Sequence, residues 1–192
     1  MSATAAISSI PDSKTPKKIT WQDFKNRFLS REDHYKYEWV NGAVEKTLRS
    51  MDKTQLYILS NLTRFLYTLI AINPKIDGDL IAEGDTFFAG NHRRPDIGYY
   101  TKAQLHAARL NEDVHPDFVI EVIAHNDQIV KLLKKMIDYR AAEVRVIWHV
   151  FPLQQEVHVY HGKQMTVCTG DDICSAEAVI AGFALRVKDI FK

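Results

Sequence analysis

Cysteine is nearly absent from this chain: 192 residues contain two, Cys168 and Cys174. That is too few for a disulfide scaffold or a self-contained zinc site, and a reducing, cytoplasmic compartment is the expected home. Long apolar runs are missing too. None approaches the ~18–20 residues that a bilayer span needs, so no membrane association is expected. An excess of charge of one sign is also lacking. Lys and Arg total 25 against 24 Asp and Glu, a formal net charge of +1, which excludes the strongly basic signature of a non-specific nucleic-acid coat but not a locally basic groove. Gly84, Gly90 and Gly98 form no phosphate loop with a following Gly-Lys-Ser, and no Gly-x-Ser-x-Gly nucleophile elbow occurs. His149, His158 and His161 lack the spacing of metal ligands.

What is present is enough apolar material, 46% of residues, to fill the core of one ordinary domain. Residues 1–18 read as a flexible polar tail without signal-peptide order, and residues 19–192 as a single domain. Trp21 to Leu29 has a helical apolar face with Thr20 as N-cap. Tyr37 to Leu48 is centred on Asn41-Gly42, a hairpin signal. Asp52 to Ile72 is the clearest helix, carrying Leu56, Leu59, Leu62, Phe65, Leu66, Leu69 and Ile70 at helical spacing. Leu80 to Ala89 and Asp96 to Tyr100 read as strands joined by a turn at Gly90 to Pro95. A short helix over Lys102 to Arg109, a buried strand over Phe118 to Ile123, a helix over Ile129 to Ala142 and a second buried strand over Val144 to Phe151 follow. Val157 to Tyr160 and Met165 to Cys168 make a hairpin, and apolar positions from Phe183 to Phe191 pack on the core. This order describes a mixed α/β sandwich.

Three acids stand out. Glu121 interrupts an apolar strand, where an ionised carboxylate costs several kcal/mol unless it is paired or binds metal. An outward-facing or Arg-paired Glu is the alternative. Asp96 follows Pro95, which fixes where its strand begins; Asp117 after Pro116 repeats the pattern, and one of the two pairs is expected to be structural. Glu38 shares a strand face with Val40, with a solvent-facing position as its default and a half-buried one as the alternative. On the helix after Glu121, an apolar arc of Ile129, Val130, Leu132, Leu133, Met136 and Ile137 leaves Lys131 near the polar centre beside Asp138. Lys134 and Lys135 lie on opposite edges, and periodicity does not choose between them. Carboxylates and a lysine on neighbouring elements suit Mg²⁺ or Mn²⁺, hard ions held by one or two carboxylates and several waters, and so suit phosphodiester hydrolysis. Arg93, Arg94, Lys131, Lys134, Arg140 and Arg145 are candidates to meet phosphate.

Tyr37-Glu38-Trp39-Val40-Asn41-Gly42, Arg94-Pro95-Asp96-Ile97, Pro116-Asp117-Phe118-Val119-Ile120-Glu121-Val122 and Lys135 with Tyr139, followed by Val144 and Trp148, resemble the Uma-type endonuclease family of the PD-(D/E)xK superfamily. The resemblance runs from about Ile19 to the C-terminus. It implies a restriction-endonuclease-like α/β (α+β) fold: a mixed sheet with an αβββαβ core flanked by helices, plus N-terminal and C-terminal hairpins. It also implies Asp96 and Glu121 as metal ligands, the Val122 carbonyl as a third, Glu38 as a further acid near the metal, and Lys135 orienting the attacking water or stabilising charge. Ile123 stands where the superfamily has its strand lysine, consistent with a helix-borne Lys135. The sequence departs from the family pattern at Ala124-His125-Asn126-Asp127, Ala142-Glu143-Val144 and Lys53-Thr54-Gln55, positions that spare these ligands. The implied activity is a metal-dependent endonuclease acting on DNA, with RNA as the other nucleic-acid substrate. The competing expectation is a catalytically inactive nuclease-like module that binds DNA or protein. A homodimer would place one site on each strand of a duplex, although no isologous patch is legible.

Overall fold

The structure, a computed structural model, describes residues 17–48, 53–123 and 129–192. Most of the expected N-terminal tail and the segment Ala124-His125-Asn126-Asp127 therefore lie outside the described residues. Thr20 caps helix α1 (Trp21–Phe24) through a reciprocal capping box with Asp23, and a π-helical turn continues it over Lys25–Leu29. Asn41 and Gly42 both take positive φ, 51° and 84°, the left-handed pair a tight hairpin turn requires. They join β1 (Tyr35–Val40) to β2 (Ala43–Leu48).

The segment after helix α2 (Lys53–Ile72) corrects the sequence reading. Leu80 to Ala89 is not one strand: β3 (Gly78–Ala82) stops at Glu83, whose φ is 49°, and β4 (Thr86–Phe88) belongs to another sheet. The turn lies at Ala89-Gly90, with φ of 49° and 81°, so β5 (Asn91–Arg93) occupies the expected loop and pairs with β4. An alanine at positive φ carries no turn signal in the sequence, which is why the hairpin went unread. The resulting sheet has the order β2-β1-β5-β4.

The larger sheet adds β6 (Ile97–Thr101), β7 (Phe118–Val122), β8 (Val146–Phe151), β9 (Glu156–His161) and β10 (Gln164–Thr169) in the order β10-β9-β8-β7-β6-β3. Helix α3 (Lys102–Arg109) follows β6, capped by Thr101 and Gln104. Only the β7–β8 pairing in this sheet is parallel; parallel neighbours need a crossover, which helix α4 (Ile129–Ala141) supplies. The expected helix, three strands, helix, strand order is thus present as α2, β3, β6, β7, α4, β8. On one face of the sheet, Phe118, Ile120 and Val122 join Leu62, Leu66, Trp148 and Phe183 in the main core. That core is closed by β11 (Ile173–Ser175), β12 (Ala184–Arg186) and α5 (Val187–Ile190). On the other face, Val119 and Ile147 pack with Phe88, Met136 and Tyr139. Strand alternation therefore turns Glu121, two residues from Val119, toward α4.

Helix α4 also departs from its expected orientation. Ile129, Val130, Leu133 and Ile137 are exposed, whereas Met136, Asp138 and Tyr139 are buried. Lys135 and Asp138 were expected at or beyond the edge of the packed face. Instead they turn inward, because buried charges of opposite sign await them on the strands. In α2, Ile58, Leu62 and Leu66 are buried, while Leu56 is 52% exposed and lies off the packed stripe.

Candidate functional site

Four elements converge where β6 and β7 open toward α4. Pro95 ends the excursion through β4 and β5 and delivers Asp96 at the mouth of β6. The Asp96 Oδ2 atom accepts the Val122 N–H at 2.9 Å, so the carboxylate continues the β6–β7 ladder beyond the last backbone pair, Ile97 with Ile120. Its Oδ1 atom receives the Lys36 ammonium at 2.9 Å. Glu121 lies one residue before Val122 and is 4% exposed. Its Oε2 atom accepts from Lys135 Nζ at 2.6 Å, and Oε1 accepts the Tyr139 hydroxyl. Lys135 and Tyr139 are one helical turn apart on α4, so a single face serves one carboxylate. Of the two lysines, Lys135 is the one that contacts Glu121, whereas Lys134 lies 3.9 Å from Glu45.

Glu38 is 3% exposed, so its solvent-facing default does not hold. Its Oε1 accepts the Arg94 N–H at 2.8 Å and its Oε2 accepts from Arg93 Nη1 at 3.0 Å. Arg93 also donates to Glu45 at 2.8 Å and, through Nε, to Asp138 at 2.7 Å. Asn91 adds a hydrogen bond to Asp138 at 2.8 Å. This network fastens β1, β2 and β5 to α4. Glu38, Asp96, Glu121, Val122 and Lys135 thereby border one cleft of about 80 Å³, together with Lys36, Lys131 and Arg93.

Electrostatics separates the acids. Burial would raise Asp96, but Lys36, Lys135 and the Val122 N–H outweigh it and hold the carboxyl below its ordinary range. Burial likewise acts against Lys135, Arg93 and Lys36 at Glu38, and the cations prevail. Glu121 goes the other way: burial dominates, Lys135 opposes it, adjacent Asp96 adds to it, and the net shift is upward. Burial would lower the Lys135 ammonium, yet Glu121, Glu38 and Asp96 hold it above an ordinary lysine. Neighbouring carboxyl groups pushed apart in this way are a common feature of acid–base sites.

Of the residues expected to matter, Glu38, Asp96, Glu121 and Lys135 come together, whereas the basic residues divide. Arg93 is 1% exposed, and its Nε and Nη1 are given to Asp138, Glu38 and Glu45, so burial rather than full pairing keeps it from meeting phosphate. Arg94 holds Asp85 at 2.6 Å. Arg145 faces Asp117 at 3.9 Å at the opposite end of β7, and the Asp117 carbonyl accepts from Arg145 and Val146, so this second Pro-Asp pair is structural. Lys131 remains on the cleft. Sequence reasoning missed Lys36, Glu45 and the buried role of Asp138. Lys36 carried a faint signal, since it stands two residues before Glu38 and shares its strand face. Both cysteines are buried, and burial pushes the Cys174 thiol up to about 12.

Among the described residues, no three His, Cys, Asp or Glu side chains form a ready-made metal cluster. The donor set nevertheless suits a hard divalent ion, which needs only one or two carboxylates alongside water. Asp96 and Glu121 supply these in one cleft. Around them the linked carboxylates Glu38, Glu45, Asp96, Glu121 and Asp138 outnumber the cations Lys36, Arg93, Lys134 and Lys135.

The fold is shared with a solved structure described as "a putative nuclease belonging to DUF820" from Anabaena variabilis ATCC 29413. The TM-score is 0.68 at 19% identity, over 84% of this chain and 92% of that one. No curated protein matches the sequence. The profile of the Uma2 family, described as "Putative restriction endonuclease", matches residues 21–188, a span that includes every element bordering the cleft, and the chain belongs to that family.

Proposed function

We propose that the protein is a divalent-metal-dependent endonuclease that hydrolyses DNA phosphodiester bonds. The observation carrying this reading is the convergence of Asp96, Glu121 and Lys135 on one cleft, with each carboxylate anchored by a second, fixed donor. Asp96, Glu121 and the Val122 carbonyl would hold Mg²⁺ or Mn²⁺, with Glu38 alongside. When bound, such an ion supplies Lewis acidity, making water a nucleophile at neutral pH and offsetting phosphate charge. The protein's own groups do the rest. Asp96 stays anionic, Tyr139 fixes the rotation of Glu121, and Lys135 holds water or a phosphate oxygen by a charge-assisted hydrogen bond. Lys131, exposed at the rim, offers a contact to the nucleic-acid backbone.

Membership of the Uma2 family supports nuclease chemistry, and the test is plasmid nicking with Mg²⁺ or Mn²⁺ by wild type and Asp96→Asn purified identically. Metal-dependent nicking that the substitution abolishes is expected; equal nicking by both proteins would refute the site. A second reading, an inactive nuclease-like module that binds DNA or protein, draws on the lysine already bonded to each carboxylate. It requires that neither Mg²⁺ nor Mn²⁺ bind at millimolar concentration.

A further inference from the structure

Lys36 borders the cleft, yet the mechanism above assigns it no role. It is 7% exposed and comes from β1, in the smaller sheet, to reach an acid of the larger one. Asp96 has two oxygens, and their surroundings differ. Oδ2 is committed to the Val122 backbone N–H, a partner fixed by β7. Oδ1 is held by Lys36 Nζ at 2.9 Å, and both residues border the cleft. An ion that binds Asp96 from the cleft must therefore share or take the oxygen that the ammonium holds.

From this geometry, and resting on the reading of the cleft as a metal site, we propose that Lys36 is a built-in competitor for the metal: its ammonium occupies the Oδ1 atom of Asp96 and must leave it when a divalent ion binds. The resting protein thus carries its own cation where the ion would go, which lowers the electrostatic cost of keeping Asp96 buried without metal. Displacement leaves the ammonium beside Glu38 and Glu121, both of which interact with it electrostatically, and facing the space where a phosphate would enter. Metal affinity is then a difference between two cations on one carboxylate, and it is set by β1 as well as by the ligands.

The test is Mn²⁺ binding, measured calorimetrically on the full chain at neutral pH without substrate, for wild type, Lys36→Met, Lys36→Arg and Asp96→Asn. Lys36→Met is expected to bind Mn²⁺ about tenfold more tightly or better, since a unit charge has been removed at contact distance. Lys36→Arg is expected to bind no more tightly than wild type, and Asp96→Asn to lose binding. A merely structural Lys36 would lower the melting temperature of Lys36→Met without tightening Mn²⁺. Equal or weaker binding by Lys36→Met, with binding still lost in Asp96→Asn, overturns the competition while leaving the metal site standing. No binding by either wild type or Lys36→Met overturns the metal site and this inference together. Should Lys36→Met not fold, the wild-type protein provides the answer. The Lys36 ¹⁵Nζ resonance, assigned through Lys36→Arg, is expected to move on saturation with Mg²⁺, and an unmoved resonance overturns the proposal.

Discussion

Glu121 shows how a single residue can be legible in sequence while its partners are not. A carboxylate between Ile120 and Val122 is an anomaly visible in one dimension, and so is an aspartate fixed by Pro95. Lys36 is not, because a lysine on a strand is ordinarily solvated and its partner lies 60 residues away. The two donors on Glu121 have separable roles, charge from Lys135 and orientation from Tyr139. Tyr139→Phe keeps the ring packed against Phe88 and removes only the hydroxyl. Nicking is expected to fall about tenfold, with about 1 kcal/mol lost in stability, as for one buried hydrogen bond. Unchanged kinetics would mean that Glu121 does not depend on Tyr139 for its orientation. Asp85 supplies a residue-scale control away from the cleft. Burial opposes the shift, but His92 and Arg94 hold its carboxyl down at about 2. A depressed carboxyl contributes stability above its unfolded value, lost as pH falls from about 4 to about 2. Because its side chain is 44% exposed, the effect is discounted to about 1 kcal/mol. Urea unfolding of Asp85→Asn should show that deficit at pH 7 and little of it at pH 2.

Among the elements, α4 is where hydrophobic periodicity misled. Its apolar arc suggested burial of Leu133 and Ile137, but the buried face is the one carrying Lys135, Asp138 and Tyr139. Periodicity measures where apolar side chains fall and is blind to a charged face whose partners come from other strands. The orientation is tested by a pair of substitutions read by thermal unfolding. Leu133→Lys, at an exposed position, is expected to stay within about 0.5 kcal/mol of wild type. Met136→Lys, which places an unpaired charge in the smaller core, should cost about 3 kcal/mol or more. Similar losses in both would contradict the observed face. The β4–β5 excursion was hidden for a different reason, the alanine at its turn, yet it brings Arg93 to Glu38, Glu45 and Asp138. Arg93→Met would leave those acids without their shared cation, at an expected cost of about 3–5 kcal/mol. That corresponds to roughly 10 °C in melting temperature for a chain of this size, and a drop under 2 °C would show that the acids find other partners.

For the molecule as a whole, the strand and helix order was legible because β7 and β8 are apolar runs, each broken by a single polar residue, Glu121 and His149. The division of β1 to β10 between two sheets was not, because it depends on which strands pair. His149 reports on the integrity of the larger sheet. Burial, aided by nearby His158, pushes its imidazole down to about 4. Between pH 6.5 and 4 the unfolded chain therefore takes up a proton that the folded chain refuses, and stability falls with pH by up to about 3 kcal/mol. His149→Phe should lack that part of the acid loss; an unchanged profile would mean that the imidazole is accessible in the native state. The central claim, that the Asp96–Glu121 cleft holds the metal of a nuclease, is tested most directly by crystals grown at saturating Mn²⁺ and measured for anomalous scattering. The expected result is a peak roughly 2 Å from carboxylate oxygens of both Asp96 and Glu121, with Lys36 withdrawn from Asp96. A cleft without a peak, with Lys36 and Lys135 still bonded to their carboxylates, would contradict it.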